Sequence, residues 1–201
     1  INTFGLEHYV KNIKPNYDFN KECKTWLDIN AAIISKNKVN LKYLSLNTGL
    51  SIRTVRPYAL FEYKGSAYMI AYCELRNAYR EFKLSRIYKY EILKDKFERN
   101  KNFNVKEYMK NCIGIYKDKE MHVKLRIKYP MSQIVKEKIW VDNQKIIDND
   151  DNSIIYEATM GGLTEIKSWI LSMGSNVEVL EPDSLKDLIK EEIQNMLLWE
   201  D

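Results

Sequence analysis

Apolar and polar residues alternate along the first half of the chain in several short segments, a pattern typical of β-strands with one buried face. The connections between the segments are short and contain Gly or Asn, which favour turns. Four strands are predicted on this basis, at residues 39–47, 51–63, 67–73 and 78–87. Residues 67–73 are apolar on both faces, as expected for a strand covered on both sides in a small barrel or a packed sandwich. The segment from 39 to about 97 is therefore predicted to be a small, curled, antiparallel β domain.

A helix is predicted before these strands, at residues 19–35, because apolar residues recur there with helical spacing. The predicted buried face consists of Phe19, Cys23, Trp26, Leu27 and Ile34. Within the second strand, Pro57 cannot donate a backbone hydrogen bond, so it is expected at a sheet edge or at a bulge.

The second half of the chain shows a different pattern, in which strands and helices alternate after a short helix at 105–112. The predicted elements are strand 120–130, helix 131–139, hairpin 144–160, helix 163–174, strand 176–182 and helix 183–197. The resulting order, β-α-β-β-α-β-α, predicts a ferredoxin-like sandwich with one additional helix. The fold class is therefore predicted to be α+β. Three domains are expected: a linker and helix at 1–36, a β-barrel at 37–112 and a C-terminal extension at 113–201.

The composition is that of a globular protein, with 45% hydrophobic and 30% charged residues. No apolar run approaches the roughly 20 residues of a membrane helix, and no signal peptide begins the chain. The three cysteines are scattered, which favours buried thiols in a reducing cytoplasm over disulfides. Because the first residue is Ile rather than Met, we expect a fragment or a processed product.

Positive charge is concentrated in the strand-rich segment. Residues 36–99 contain 14 Lys and Arg against 6 Asp and Glu, whereas the rest of the chain contains 18 against 22. A segment with this excess can attract an anionic partner.

Few residues suggest catalysis or metal binding. The two histidines, His8 and His122, have no Cys or carboxylate neighbours at the spacing of metal ligands. The sequence MGGLTE at 160–165 lacks the Lys-Ser/Thr of a phosphate-binding loop, and NDDN at 149–152 is better explained as a turn. We therefore expect neither an enzyme nor a metal or cofactor site.

The remaining signal is a set of arginines interleaved with aromatic residues. If residues 78–87 form one strand, Arg80, Phe82, Leu84 and Arg86 share a face, with the two arginine Cα atoms roughly 20 Å apart. Arginines bind phosphates, and aromatic rings stack on bases. The alternative is that the tyrosines fill a β core while the arginines form surface ion pairs with Glu62, Glu74 and Glu81.

Three sequence blocks in this region resemble the WYL domain of bacterial transcriptional regulators. They are RTVRPY at 53–58, AYMIAYC at 67–73 and REFKLSRI at 80–87. Residues 161–189 are similar to the C-terminal extension, WCX, that commonly follows a WYL domain. One departure is that Ala67 and Met69 replace the Trp and Leu of the name-giving Trp-Tyr-Leu, which could open a pocket or repack the core.

This resemblance implies an Sm-like (SH3-type) β-barrel that senses a ligand, usually behind an N-terminal winged helix-turn-helix that binds operator DNA. It also implies a nucleic-acid-type ligand such as single-stranded DNA. The implied ligand-binding residues are Tyr43, Arg53, Tyr68, Arg80, Phe82 and Arg86. The leading hypothesis is the sensor and dimerisation part of such a regulator, cytoplasmic and homodimeric, without membrane contact and with the operator-binding domain missing. The alternatives are a protein-interaction or dimerisation module without a small ligand, and an accessory domain of a nucleic-acid-processing enzyme.

Overall fold

The computed structural model describes residue 16 and residues 18–198, without the side chain of Phe19. The described chain forms two compact units that divide between Phe103 and Asn104. The predicted domain boundaries at 36/37 and 112/113 stay predictions. Both units combine helices with antiparallel sheets, so the fold is α+β as predicted.

The first unit is a five-stranded antiparallel sheet with one helix packed on it. Its elements are α1 (Phe19–Ser35), β1 (Asn37–Ser45), β2 (Gly49–Tyr63), β3 (Ser66–Cys73), β4 (Ala78–Lys83), a 3₁₀ turn (Leu84–Arg86) and β5 (Ile87–Lys96). The strand order is β4-β3-β2-β1-β5. In the part of the chain that the structure describes, no backbone ladder joins β4 to β5, so the sheet is not a hydrogen-bonded closed barrel.

The sheet is nevertheless strongly curled. Although two strands separate β1 from β4, the hydroxyl of Tyr43 on β1 accepts a hydrogen bond from the backbone N–H of Lys83 on β4, at 3.2 Å. The Tyr43 ring also lies edge-on to Phe82, with 5.0 Å between centroids. In a flat sheet these strands would be about 14 Å apart. The bulge after Pro57 on β2 interrupts the ladder to β3 and bends the strand, which confirms the expected bulge although β2 is not an edge strand.

Asp18 caps the N-terminus of helix α1, because its carboxylate accepts hydrogen bonds from the backbone of Asn20 and Lys21. It packs against the sheet through Ile29 and Ala32, which are fully buried. The predicted buried face is wrong in three of its residues: Leu27 and Ile34 are 67% and 74% exposed, and Cys23 is exposed. The helix carries two apolar stripes, and the stripe that contains the small Ala32 is the one that packs on the strands. The role of Phe19 lies outside the described side chains.

The interpretation of residues 78–87 as one strand is wrong. Strand β4 ends at Lys83, and the 3₁₀ turn carries the chain from one edge of the sheet to the other. Leu84 is buried in the core within this turn. Arg80 and Arg86 therefore do not share a strand face. Strand β5 was not predicted, because only its first residue, Ile87, is buried and the rest of the strand shows no clear apolar alternation.

The second unit contains a four-stranded antiparallel sheet in the order β7-β8-β6-β9. Its elements are α2 (Val105–Met109), β6 (Met121–Ile127), α3 (Met131–Lys136), β7 (Lys145–Asp148), β8 (Ile154–Met160), α4 (Leu163–Ser172), β9 (Val177–Glu181) and α5 (Asp183–Leu197). From β6 onward the element order is the predicted β-α-β-β-α-β-α. The core includes Leu125, Tyr156, Ile166, Ile170 and Leu185.

Two carboxylates hold the start of α4. Asp118 accepts hydrogen bonds from the backbone N–H groups of Gly162 and Leu163, at 2.6 and 2.8 Å. In return, Glu165 on α4 accepts from the backbone of Ile115 and Tyr116, both at 3.0 Å. These four hydrogen bonds fix the segment before β6 against α4. Those to Asp118 also satisfy backbone donors that the first helical turn leaves unpaired.

None of the described helices has both the length and the apolar character that a membrane span requires.

Candidate functional site

The guanidinium of Arg53 on β2 is buried at the β1–β2 hairpin, with the residue only 7% exposed. Its Nε donates to the hydroxyl of Ser51 at 3.0 Å, and its Nη2 donates to the hydroxyl of Thr48 at 3.2 Å. Ser51 and Arg53 are two residues apart on the same strand and so lie on the same face. Thr48 lies in the turn, before Gly49, whose φ of +70° reverses the chain.

No carboxylate neutralises this cation among the described residues, since Arg53 has none within 4.0 Å. Both of its hydrogen-bond partners are neutral. Burial of an unpaired charge is costly, because neutral dipoles replace hydration only in part. The arrangement is therefore complementary to an anion that enters at the hairpin.

Tyr43 packs beside Arg53 and joins it to β4. The Arg53 Cζ lies 5.8 Å from the centroid of the Tyr43 ring, within the range of a cation–π contact. Phe82 is 1% exposed, and its ring also contacts that of Tyr43. We use the name Arg53 cluster for Tyr43, Thr48, Ser51, Arg53 and Phe82.

The backbone places Arg86 one residue before the ladder partner of Tyr43. In the ladder between β1 and β5, Tyr43 is the partner of Ile87, which directly follows Arg86. Arg86 is half-buried, and it forms no hydrogen bond or ion pair with any residue in 18–198 apart from backbone bonding within elements.

Arg80 and Tyr68 are placed differently from the other sequence-predicted residues. Arg80 is exposed on β4 and donates from Nη1 to the carbonyl of its neighbour Tyr79 at 2.9 Å. Tyr68 lies on the opposite face of the sheet from Met69, because neighbouring strand residues alternate. It stacks on Phe61 at 5.5 Å, and the Nζ of Lys83 lies 6.0 Å from its ring. The structure therefore joins Tyr43, Arg53 and Phe82 by contact, whereas Arg80 donates to Tyr79 and Tyr68 stacks on Phe61.

The alternative of surface ion pairs applies to Arg56. Glu74 is 2.9 Å from both the Arg56 Nε and the Lys38 Nζ. The hydrogen bond from Lys38 has the largest effect on the pKa of the Glu74 carboxyl and lowers it; burial opposes this, and the hydrogen bond from Arg56 lowers the pKa further. Arg56 is thus neutralised by an acid, whereas Arg53 is not.

Residues 16 and 18–198 contain no group of three or more His, Cys, Asp or Glu side chains that could hold a metal ion.

Comparison with protein families gives two matches along the chain. The WYL domain family matches residues 24–92, and the WCX domain family matches residues 119–197. The chain contains a WYL domain followed by a WCX domain.

The uncharacterized HTH-type transcriptional regulator YobV of Bacillus subtilis (strain 168) is 28% identical over 171 residues. The match covers 84% of this chain and 53% of YobV, so the chain spans about half the length of that relative. Among solved structures, a CRISPR Cas-related protein has a TM-score of 0.62 at 13% identity, covering 88% of this chain and 52% of the other, which shows a shared fold. Proteasome accessory factor B/C (PafBC) of Arthrobacter aurescens has a TM-score of 0.44 at 18% identity, covering 94% of this chain and 29% of the other.

Within the WYL domain, the two replaced motif residues belong to the core. Ala67 is 6% exposed and Met69 is fully buried, and both face the same core as Phe82. Met69 is the ladder partner of Phe82. The replacement of Trp and Leu could open a pocket or repack the core. The structure shows packed core positions at both Ala67 and Met69, as expected for a repacked core.

Thr48 and Ser51 were not predicted as site residues from the sequence. Their hydroxyls hold the buried guanidinium in the WYL domain, and Ser51 could have been found from its i−2 spacing to Arg53 on a predicted strand. Thr48 gave no comparable signal, because its approach to Arg53 depends on the shape of the turn.

The WCX domain carries an apolar groove of about 740 Å³ between α4, β9 and α5. Ile193 and Leu197 of α5 line it and are 45% and 78% exposed. Strand β9 is an edge strand, because among the described residues it forms a ladder with β6 alone.

Proposed function

We propose that this chain is the ligand-sensing and dimerisation part of a bacterial transcriptional regulator, and that its WYL domain binds a nucleic-acid-type or other phosphorylated ligand at the Arg53 cluster. The observation that carries this proposal is the buried Arg53 guanidinium, held by two neutral hydroxyls without an acid among the described residues. A phosphate oxygen would supply the missing negative charge through charge-assisted hydrogen bonds.

The geometry also supports a phosphate over a neutral ligand. Arg53 uses Nε and Nη2 for the hairpin hydroxyls, and its Nη1 makes no hydrogen bond to a described residue. Arg86, whose neighbour Ile87 is the ladder partner of Tyr43, is proposed to add a second positive charge. In this proposal a longer ligand also contacts Arg80 and the stacked rings of Tyr68 and Phe61. One of these rings can stack on a base of that ligand.

The role in transcription rests on the domain pair and on the name of the YobV relative. Operator DNA would be bound by an N-terminal winged helix-turn-helix and not by these two domains. We propose a cytoplasmic protein without membrane contact, metal or cofactor, and binding without catalysis.

We also propose finer fold assignments for the two units. The curl that brings Tyr43 to Lys83, together with the 3₁₀ turn before β5, supports an Sm-like (SH3-type) small barrel that is partly open. The strand order β7-β8-β6-β9, with antiparallel neighbours and helices between strands, supports a ferredoxin-like sandwich in the WCX domain.

The second candidate function is a dimerisation or interaction module without a small ligand. The apolar groove beside β9 and α5 supports it, because a half-exposed apolar helix face suits a protein contact. We propose homodimerisation in either case, since proteins that read two-fold operators are usually dimers.

The experiment measures binding of a fluorescein-labelled oligothymidylate by anisotropy at low and moderate salt. If two phosphates are contacted, affinity should fall about sevenfold between 50 and 200 mM salt. Arg53→Gln should abolish binding, and Arg86→Gln should weaken it. The matched control is Arg56→Gln, because Arg56 is paired with Glu74 and lies three residues away on the same strand.

Two outcomes would contradict the ligand proposal. If the probe does not bind at low salt, the dimerisation or interaction module becomes the better-supported function. The oligomeric state of Ile193→Lys, measured by sedimentation, would then test the role of the groove. Equal loss of binding in Arg53→Gln and Arg56→Gln would show that general positive charge, and not the Arg53 cluster, attracts the probe.

A further inference from the structure

We infer that Tyr43 couples the anion site to helix α1, so that occupation of Arg53 changes how the 3₁₀ turn Leu84–Arg86 packs against α1. This inference rests on the proposed function of the Arg53 cluster, and it assigns Tyr43 a positioning role instead of a stacking role toward ligand. A stacking role is disfavoured because the Tyr43 ring already contacts the Arg53 guanidinium and the Phe82 ring.

Tyr43 contacts two strands other than its own. Its ring lies against the Arg53 guanidinium of β2 and edge-on to Phe82 of β4. Its hydroxyl accepts the hydrogen bond from the backbone N–H of Lys83. A displacement of this one ring therefore changes a side-chain contact on β2 and a backbone hydrogen bond on β4 together.

An anion at Arg53 competes directly with the Tyr43 ring. A contact between a guanidinium and a ring is weaker than a charge-assisted hydrogen bond to a phosphate oxygen. When a phosphate pairs with Arg53, the guanidinium moves toward the hairpin opening and its attraction to the ring falls. Tyr43 then loses the contact that fixes its ring on the β2 side.

The Lys83 hydrogen bond passes this change to the 3₁₀ turn. Lys83 is the residue immediately before the turn, and Leu84 within the turn is 2% exposed. Leu84 belongs to the same core cluster as Ile29 and Ala32 of α1. The hydrogen bonds of a 3₁₀ turn have poorer geometry than those of an α-helix, so the turn is easier to deform.

There is room for the turn to move. A pocket of about 180 Å³ lies between α1 and the turn, and Thr25, Leu84 and Ile87 are among its lining residues. A core residue at a pocket wall can shift without overlapping its neighbours. Coupling requires the ligand to favour one arrangement of the turn over the other, because equal binding to both would shift nothing.

The test compares hydrogen–deuterium exchange with and without saturating oligothymidylate in three proteins: unchanged, Tyr43→Phe and Tyr58→Phe. Tyr58 is the matched control, because its buried hydroxyl also accepts a backbone N–H, that of Asn100 at 2.9 Å, outside this route. In the unchanged protein and in Tyr58→Phe, the probe should alter exchange at 83–87 and at 25–33. Tyr43→Phe is measured at a probe concentration that saturates it, so that a lower affinity does not affect the comparison. It should lack the exchange response at both segments.

Each other outcome contradicts a specific claim. Binding without any exchange change at 83–87 in the unchanged protein would overturn this inference alone, as would a full response in Tyr43→Phe. No binding by the unchanged protein would overturn the proposed function and this inference with it. If Tyr43→Phe does not fold, Phe82→Leu takes its place. Phe82→Leu removes the edge contact to Tyr43 while keeping an apolar side chain. A full exchange response in Phe82→Leu would also overturn the inference.

Discussion

Arg53 and Arg56 lie three residues apart on β2, yet only Arg56 has an acidic partner among the described residues. The Nε of Arg56 is 2.9 Å from Glu74, whereas the Nε of Arg53 is 3.0 Å from the hydroxyl of Ser51. Because strand residues alternate, the two arginines point to opposite faces of the sheet. On the exposed outer face Arg56 forms an ion pair, whereas on the inner face Arg53 has neutral partners among the described residues.

The first prediction is that Arg53→Met abolishes probe binding without a loss of stability. Replacement of an unpaired buried charge by an apolar side chain of similar length removes a desolvation cost. The free energy of unfolding should stay level or rise by about 1 kcal/mol in urea denaturation. As the control, Arg56→Met should change it by about 0–1 kcal/mol in the destabilising direction, because it removes a partly exposed ion pair. A destabilised Arg53→Met that cannot bind would indicate that Arg53 serves the fold.

The second prediction concerns the hydroxyl that holds Arg53. Ser51→Ala removes the acceptor of the Nε hydrogen bond and leaves a buried donor unpaired, which should destabilise the protein by about 1–3 kcal/mol. It should also weaken probe binding, because the guanidinium is no longer held in one orientation. Ser51→Thr keeps a hydroxyl and should retain most of the affinity.

Urea denaturation and anisotropy on the same Ser51 variants separate the two effects. Unchanged affinity in Ser51→Ala would contradict the positioning role of the hairpin hydroxyl. If Ser51→Thr loses as much affinity as Ser51→Ala, the side-chain volume at this position is responsible and not the hydrogen bond.

The sequence alone predicted most strands and helices, because burial of one face produces alternation or helical spacing. It failed where three-dimensional curvature decides the outcome. Arg80 and Arg86 were placed on one face because nothing local shows that the chain must cross from one sheet edge to the other after Lys83. The burial of Arg53 and its contact with Thr48 likewise follow from the shape of the hairpin and the curl of the sheet. By contrast, the separation of Tyr68 from the core face follows from alternation alone.

The third prediction concerns a second aromatic cluster, around Tyr58 on the outer face. Tyr58 is 4% exposed, its hydroxyl accepts from the backbone of Asn100, and its carbonyl accepts from the Nη1 of Arg99. Phe103 lies 4.8 Å from its ring. Tyr58→Phe leaves the Asn100 donor unpaired, which should destabilise the docked segment 97–103 by about 1–3 kcal/mol.

Limited trypsin digestion measures this effect, because Arg99 and Lys101 are cleavage sites within that segment. Cleavage there should be faster in Tyr58→Phe than in the unchanged protein. Tyr72→Phe is the control, since the Tyr72 ring packs against Tyr79 and Arg56 and its hydroxyl makes no hydrogen bond to a described residue. Equal cleavage rates in all three proteins would contradict an anchoring role for the Tyr58 hydroxyl.

The fourth prediction is a pH dependence in the turn between β7 and β8. Hydrogen bonds from the side chain and backbone of Ser153, and then from Arg126, lower the pKa of Asp151 from 3.8 to about 2. Because the pKa is lower in the folded state, the charged carboxylate stabilises the fold above pH 4. This contribution is lost as the pH falls through about 2. A carbon-detected NMR titration of the Asp151 carboxyl should give a midpoint well below 3.8.

Stability measurements on variants complete this test. Asp151→Asn should be less stable than the unchanged protein at pH 5, and the difference should shrink as the pH approaches 2, since the carboxyl is then largely protonated in the unfolded state and about half protonated in the folded state. Asp150→Asn is the control, because Asp150 forms no ion pair with a described residue, so its acid dependence should match that of the unchanged protein. A constant difference between Asp151→Asn and the unchanged protein from pH 5 to pH 2 would show that the amide loses a contact unrelated to the carboxylate charge.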